Sequence, residues 1–185
     1  MSLDPFLDLL LEAATLKRMP RTGWGTRGVP HVESVAEHSF GVAFVALTLT
    51  DILNQERDAG DQTALNLERV LVMALLHDLA EVRLTDLPSS ALRLIPAAVK
   101  SQAEKSAMAD LLSPLPTVAR WQAWWEDFEE RTSDEGHLVR DADKLEMMIQ
   151  CLRYEEAGSR GLDEFWQAMD HYPWHYALSE ELYAG

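Results

Sequence analysis

With one cysteine, Cys151, in 185 residues, this chain cannot form an intramolecular disulfide, and a buried apolar core has to hold it together. Positive charge is scarce as well: 16 basic residues face 31 acidic ones, a formal net charge of -15. Such a surface repels nucleic acid phosphates, and no Lys/Arg cluster or stripe offsets it, which argues against a polymeric nucleic acid as partner. No apolar run reaches the ~18 residues that cross a bilayer. The opening Met1-Ser2-Leu3-Asp4-Pro5 lacks the basic start of a secretory segment, and Leu9-Leu10-Leu11 is soon followed by Glu12 and Lys17-Arg18. With the lone cysteine, these absences set the expectation of a cytoplasmic protein that makes no use of a membrane. Alternating strand patterns, internal repeats and linkers are missing too, so one domain over 1–185 with a single core is expected.

Helical periodicity runs nearly throughout and predicts an all-α globule. Leu7, Leu10, Leu11 and Ala14 share a face over 3–17, and Pro20 and Gly23 end that segment. Residues 22–31 read as an ordered loop rich in Gly and Pro. Ser34 can then cap a helix, with Glu37 at the capping-box position three residues on. His38, Val42, Val45, Leu49 and Leu53 follow one face of it, and the polar stretch 55–63 reads as a connection. Further helices are predicted over 67–77, 96–112, 118–131 and 134–156, with a loop from Thr85 towards Ser90. A metal-site core over about 34–156 is followed by a short C-terminal helical pair over about 161–184. The aromatic group Trp121, Trp124, Trp125 and Phe128 is read as core or interface packing.

The chemistry centres on His77-Asp78, which closes the apolar run Val70-Leu71-Val72-Met73-Ala74-Leu75-Leu76. With His38 upstream and Asp143 downstream, the doublet supplies four N/O ligands that helix packing can gather around one ion. The plainer alternative is a hydrogen-bonded core histidine, with Asp143 paired to Arg140 or Lys144. Spacing alone does not choose between them. Glu81, three residues beyond Asp78, faces the same opening if the helical turn continues.

The order of these motifs resembles the H…HD…D signature of the HD-domain metal-dependent phosphohydrolases. The similarity extends through Leu16-Lys17-Arg18-Met19-Pro20-Arg21-Thr22-Gly23-Trp24, Glu33-Ser34-Val35-Ala36-Glu37-His38, His77-Asp78-Leu79-Ala80-Glu81 and Val139-Arg140-Asp141-Ala142-Asp143-Lys144-Leu145-Glu146. These segments look like the 5'-deoxynucleotidase branch, the YfbR-like and HD-domain-containing protein 2 group. The resemblance implies His38, His77, Asp78 and Asp143 as ligands of one divalent ion, with Glu81 and Asp86 as catalytic residues. It implies hydrolysis of deoxyribonucleoside 5'-monophosphates by direct attack of water, without a phosphoenzyme. Two histidines and two aspartates suit Mn, Co, Fe, Ni or Zn better than Mg.

Trp24 is expected to wall the sugar or base. Where relatives place an arginine just before that tryptophan, this chain has Gly23, which leaves the phosphate to Arg21, Arg27 or Lys144. Where relatives have glycine before Asp86, this chain has Thr85. Glu37 is a candidate to orient His38, in competition with its capping role. Members of the branch are often homodimers, and the same is expected here. The competing functions are a phosphodiesterase or nucleoside triphosphate hydrolase of the same superfamily, and a metal-stabilised nucleotide-binding protein without turnover.

Overall fold

The computed structural model describes residues 3–59 and 63–185. Among them the chain forms α1 (Asp4–Ala13), a 3-10 turn (Ala14–Arg18), α2 (Thr22–Gly25), α3 (Val35–Ala59), α4 (Leu67–Leu76), α5 (Glu81–Leu84), α6 (Ser89–Leu92), α7 (Ala97–Leu112), α8 (Val118–Glu130), α9 (Asp134–Glu156), α10 (Asp163–Met169) and α11 (Ala177–Ala184). No sheet is present among the described residues, only an isolated bridge between Pro20 and Ser34. The long helices α3 and α9 pack on each other, α4 lies against both, and α8 joins α4 and α9.

Local chemistry explains where the principal helices start. The Ser34 N–H donates to Glu37 Oε2 at 2.6 Å and the Glu37 N–H donates back to Ser34 Oγ at 3.2 Å, the reciprocal pair of a capping box. Asn66 Oδ1 accepts from the Arg69 N–H at the head of α4. Ser133 Oγ accepts from the Gly136 N–H at the head of α9.

Asp127 secures the α8–α9 corner. Its buried carboxylate takes the Thr132 N–H at 3.1 Å and the Ser133 hydroxyl at 2.6 Å, and forms an ion pair with Arg69. Removing it leaves the Thr132 N–H and the Ser133 hydroxyl without their acceptor and Arg69 with Glu135 alone, so Asp127→Ala is expected to cost about 3 kcal/mol, read as a lower urea midpoint. Burial opposes ionisation of this group, but Ser133, Thr132 and Arg69 outweigh it and hold the carboxyl below its usual 3.8. The sign follows: this stabilisation is present above 3.8 and is lost as pH falls below it, and Asp127→Ala is expected to flatten that acid limb.

The buried side chains fall into three clusters, the first and third bridged by half-buried Trp174 and Tyr183. Val42, Ala46 and Leu49 of α3 meet Val70 and Met73 of α4 and Leu138, Ala142 and Leu145 of α9. Leu76 and Leu79 join Met108, Leu112 and Trp125 in a second cluster, and Trp24, Met148, Cys151, Tyr154 and Leu162 form a third. Trp125 and Phe128 are core residues, while Trp121 and Trp124 are half-buried against its edge.

Other expectations need correction. The first helix stops at Ala13 and tightens into the 3-10 turn, and Leu7, Leu10 and Leu11 are exposed. Periodicity identified an apolar face there but not whether a neighbour covers it. The predicted connection over 55–63 is helical up to Ala59, and residues 60–62 lie outside those described. Polar side chains near the end of α3 anchor the returning chain: Asn54 exchanges two hydrogen bonds with the Leu65 backbone, and Arg57 Nη1 donates to the Thr63 carbonyl. The loop from Thr85 to Ser90 is interrupted by α6. Helix α3 is long and apolar enough to cross a bilayer by length and composition, but its face through Val42, Ala46 and Leu49 is packed into the core.

Candidate metal centre

Three helices bring the predicted set together: His38, His77 and Asp78 have ligand atoms within 4.8 Å of one another, and Asp143 approaches them on the His38 side. His38 comes from the first turn of α3, His77 and Asp78 from the end of α4, and Asp143 from the middle of α9. His77 Nε2 lies 3.3 Å from His38 Nε2 and 3.2 Å from Asp78 Oδ2. His38 Nε2 lies 3.3 Å from Asp143 Oδ1 and 3.7 Å from Asp78 Oδ2. Two ligands held at about 2.0–2.1 Å from one ion at a tetrahedral angle are about 3.3 Å apart, so the observed spacings are those of a coordination shell. The donor chemistry fits as well. His77 Nδ1 donates to the Ala74 carbonyl at 2.8 Å and His38 Nδ1 to the Glu146 carboxylate at 2.5 Å, which turns both Nε2 atoms towards the shared point. The cluster is a site for a single metal ion.

The electrostatics lead to the same conclusion. Burial and Arg21 disfavour a charged His38, but Asp143, Glu146 and Asp78 together push its pKa up to about 9, so that in the cation-free chain a proton stands where a metal would. Against the cost of burial, His77, Arg21 and His38 hold Asp78 below the usual carboxylate range, and Lys144, His38 and His77 do the same for Asp143. A site that concentrates positive charge in this way exchanges protons for a cation, so its affinity rises with pH.

Around this point lie two adjoining hollows of about 210 and 180 Å³ that share Arg21, Asp86 and Leu87. The first holds Asp78, Glu81, Asp143 and Lys144. The second is walled by Trp24, Met147 and Phe165. Glu81 Oε2 is buried without a hydrogen-bond partner, and burial, with Asp78 and Asp86 nearby, pushes its pKa up to about 9. Trp24 is fully buried, donates its indole N–H to Glu33 Oε1 at 2.8 Å and stacks on Phe165 at 4.1 Å.

The remaining candidates separate. Arg21 Nη1 lies 3.1 Å from Asp78 Oδ2, and Lys144 Nζ lies 2.8 Å from Asp143 Oδ2, so both cations flank the cluster. Arg27 lines the outer hollow instead, tied by both arms of its guanidinium to Glu164. Asp86 Oδ2 accepts from Thr22, whose hydroxyl lies at 2.7 Å, and so joins its loop to α2. Thr85 takes φ 64° and ψ 159°, a region that glycine favours and that strains a β-branched residue. Strain of about 1–3 kcal/mol, less the entropy cost of a glycine, makes Thr85→Gly stabilising by about 1 kcal/mol. A higher melting temperature checks this, with the position of Asp86 unchanged.

Two carboxylates were missed from sequence. Glu146 takes the place beside His38 that Glu37 was a candidate for, since Glu37 is spent on its cap. Glu33 reaches the same side of His38, its pKa pushed up to about 7 by burial and then by Glu146. The signals available were the i, i+3 pairing of Asp143 with Glu146 and a glycine, Gly41, inside an apolar helix.

Comparison with known proteins matches this arrangement. The HD-domain family model matches residues 13–171. The 5'-deoxynucleotidase HDDC2 of Danio rerio is 35% identical over 178 residues, covering 92% of this chain and 82% of the relative. The Homo sapiens protein of the same name is 33% identical over 152 residues, covering 81% and 68%. A conserved hypothetical protein from Pyrococcus furiosus superposes with a TM-score of 0.78 at 36% identity, over 97% of this chain and 99% of that one. An all-helical body that gathers His38 and His77-Asp78 around one metal point, together with a family match over most of its length, makes this chain a member of the HD-domain family of metal-dependent hydrolases.

Proposed function

We propose that the chain is a 5'-deoxynucleotidase that releases phosphate from deoxyribonucleoside 5'-monophosphates, with His38, His77, Asp78 and Asp143 as the ligands of one divalent transition ion. The observation that carries this reading is the buried, unpartnered Glu81 Oε2 in the same hollow as Asp78 and Asp143. Named relatives with this activity support the choice of substrate. The ion, drawn from Mn, Co, Fe, Ni or Zn in preference to Mg, supplies Lewis acidity at the phosphate.

The protein's own groups do the rest. Arg21 and Lys144, flanking the ligand carboxylates, receive the phosphate, whereas Arg27 is committed to Glu164. Trp24, held rigid by Glu33 and Phe165, and the Asp86 loop bound the sugar end. Glu81, whose carboxyl a bound cation nearby would return to its ionised form, accepts a proton from the attacking water as the water oxygen bonds to phosphorus and the bond to the 5'-oxygen breaks. The released 5'-alkoxide takes that proton back from Glu81 and becomes the nucleoside hydroxyl, which leaves Glu81 ionised again.

A turnover panel tests the reading. Deoxynucleoside monophosphates, their ribonucleotide counterparts, a nucleoside triphosphate and a phosphodiester are offered to metal-loaded protein. Release of inorganic phosphate from the monophosphates alone is expected; cleavage of the diester or triphosphate instead assigns the site to another HD-domain chemistry. Binding without turnover assigns a scaffold. The reading further implies a cytoplasmic unit over 1–185 without membrane or polymeric nucleic acid partners. It also implies a homodimer, for which exposed Phe44, Ile149, Leu152 and Leu182 offer apolar surface. Light scattering at the mass of one chain overturns the dimer.

A further inference from the structure

We propose that Glu146, seated against Gly41, is the positioning residue for His38, fixing the plane of its ring and directing Nε2 at the metal point. The inference rests on the reading of His38 as a metal ligand. Asp143 and Glu146 stand one turn apart on α9, and their carboxylates grip opposite edges of one imidazole: Asp143 Oδ1 is 3.3 Å from Nε2 and Glu146 Oε2 is 2.5 Å from Nδ1. His38 is fully buried and Glu146 nearly so, which leaves bulk water little part in holding the ring.

Gly41 is the independent observation. It lies one turn after His38 in α3, where glycine costs about 0.5–1 kcal/mol relative to alanine. A Cβ there would stand 2.6 Å from Glu146 Oε1 and 2.7 Å from its Cγ. The missing side chain is thus the seat on which the carboxylate rests, and any larger residue moves Glu146 off Nδ1. Glu33 also stands on this side of His38, with a ligand atom within 4.8 Å, but Glu146 is the carboxylate hydrogen-bonded to Nδ1. Glu37 closes the capping box, and Glu33 Oε1 accepts from Trp24. A carboxylate behind a metal-binding histidine sets its tautomer and orientation, and its loss lowers metal affinity by about 10–100-fold.

The test measures zinc affinity by competition with a chromophoric chelator, with no turnover involved. Glu146→Gln and Glu146→Ala are expected to weaken binding by about 10–100-fold. Gly41→Ala is expected to weaken it in the same direction while the chain stays folded, because alanine's better helix propensity offsets part of the cost of displacing Glu146. The two changes act through one contact, so the double variant is expected to fall short of the product of the single effects. In proton NMR, the His38 Nδ1–H signal is expected far downfield in the parent and displaced upfield in each variant. Parental affinity in Glu146→Ala, or in the near-isosteric Glu146→Gln should the alanine variant not fold, overturns the proposal. Fully multiplicative losses overturn it too. A parent that releases no phosphate from any deoxynucleotide, while the variants lose zinc affinity, refutes the proposed function and leaves the positioning role standing.

Discussion

His77→Gln is expected to strip the chain of its divalent ion and to lower phosphate release by about a thousandfold. Lewis-acid stabilisation of transition-state charge is worth several kcal/mol, and each 1.36 kcal/mol is about a factor of ten. The side chain is buried, its Nδ1 is anchored on Ala74, and its Nε2 lies 3.3 Å from His38 Nε2 and 3.2 Å from Asp78. Glutamine keeps most of the volume but cannot both satisfy that carbonyl and present a nitrogen at the same point. The change therefore removes a ligand and loosens its neighbour Asp78, while the helical core is retained. Elemental analysis of the purified variant against the parent, with circular dichroism as the control for folding, checks the expectation. A variant that retains one ion per chain and parental turnover would falsify the ligand assignment.

The second large effect is at Glu81. Glu81→Gln is expected to lower kcat by about 10²- to 10³-fold while the ion stays bound, because proton transfer by a positioned side chain is worth about 10²- to 10⁴-fold. Retention of the ion separates this result from the loss of a ligand. The titration of Glu81 adds a second signature. Its folded pKa of about 9 lies above the ordinary 4.5, through burial and the neighbouring Asp78 and Asp86. In the metal-free chain, stability is therefore complete below 4.5 and declines as pH rises towards 9, because the unfolded chain ionises first. Glu81→Gln removes that decline. An unchanged urea-midpoint profile between pH 5 and 9 in the variant contradicts this account of its environment.

The long helices were legible because their signals are local. Helix α9 runs over Asp134–Glu156 as its periodicity predicts, with Ser133 as its cap. The Ser34–Glu37 box starts α3 where expected. The convergence of His38, His77-Asp78 and Asp143 was suggested by motif order and resemblance, since no spacing along the chain encodes how three helices cross. What escaped depends on tertiary neighbours. Leu7, Leu10 and Leu11 have a helical pattern, but the fold leaves them exposed. Arg27 and Arg21 are equivalent as isolated cations, and only the approach of α10 ties one to Glu164 while Asp78 places the other beside the metal point. Thr85 belongs with these, since nothing in the sequence around it announces the positive φ of 64° that the folded loop imposes.

In the proposed function, one ion held by His38, His77, Asp78 and Asp143 drives hydrolysis of a deoxynucleoside monophosphate. Titrating metal-stripped protein with Mn, Co, Fe, Ni or Zn while following phosphate release from a deoxynucleoside monophosphate tests it directly. Activity is expected to rise in proportion to added ion and to break at one equivalent per chain. A break at two equivalents, or no turnover with any of the five ions, would contradict it.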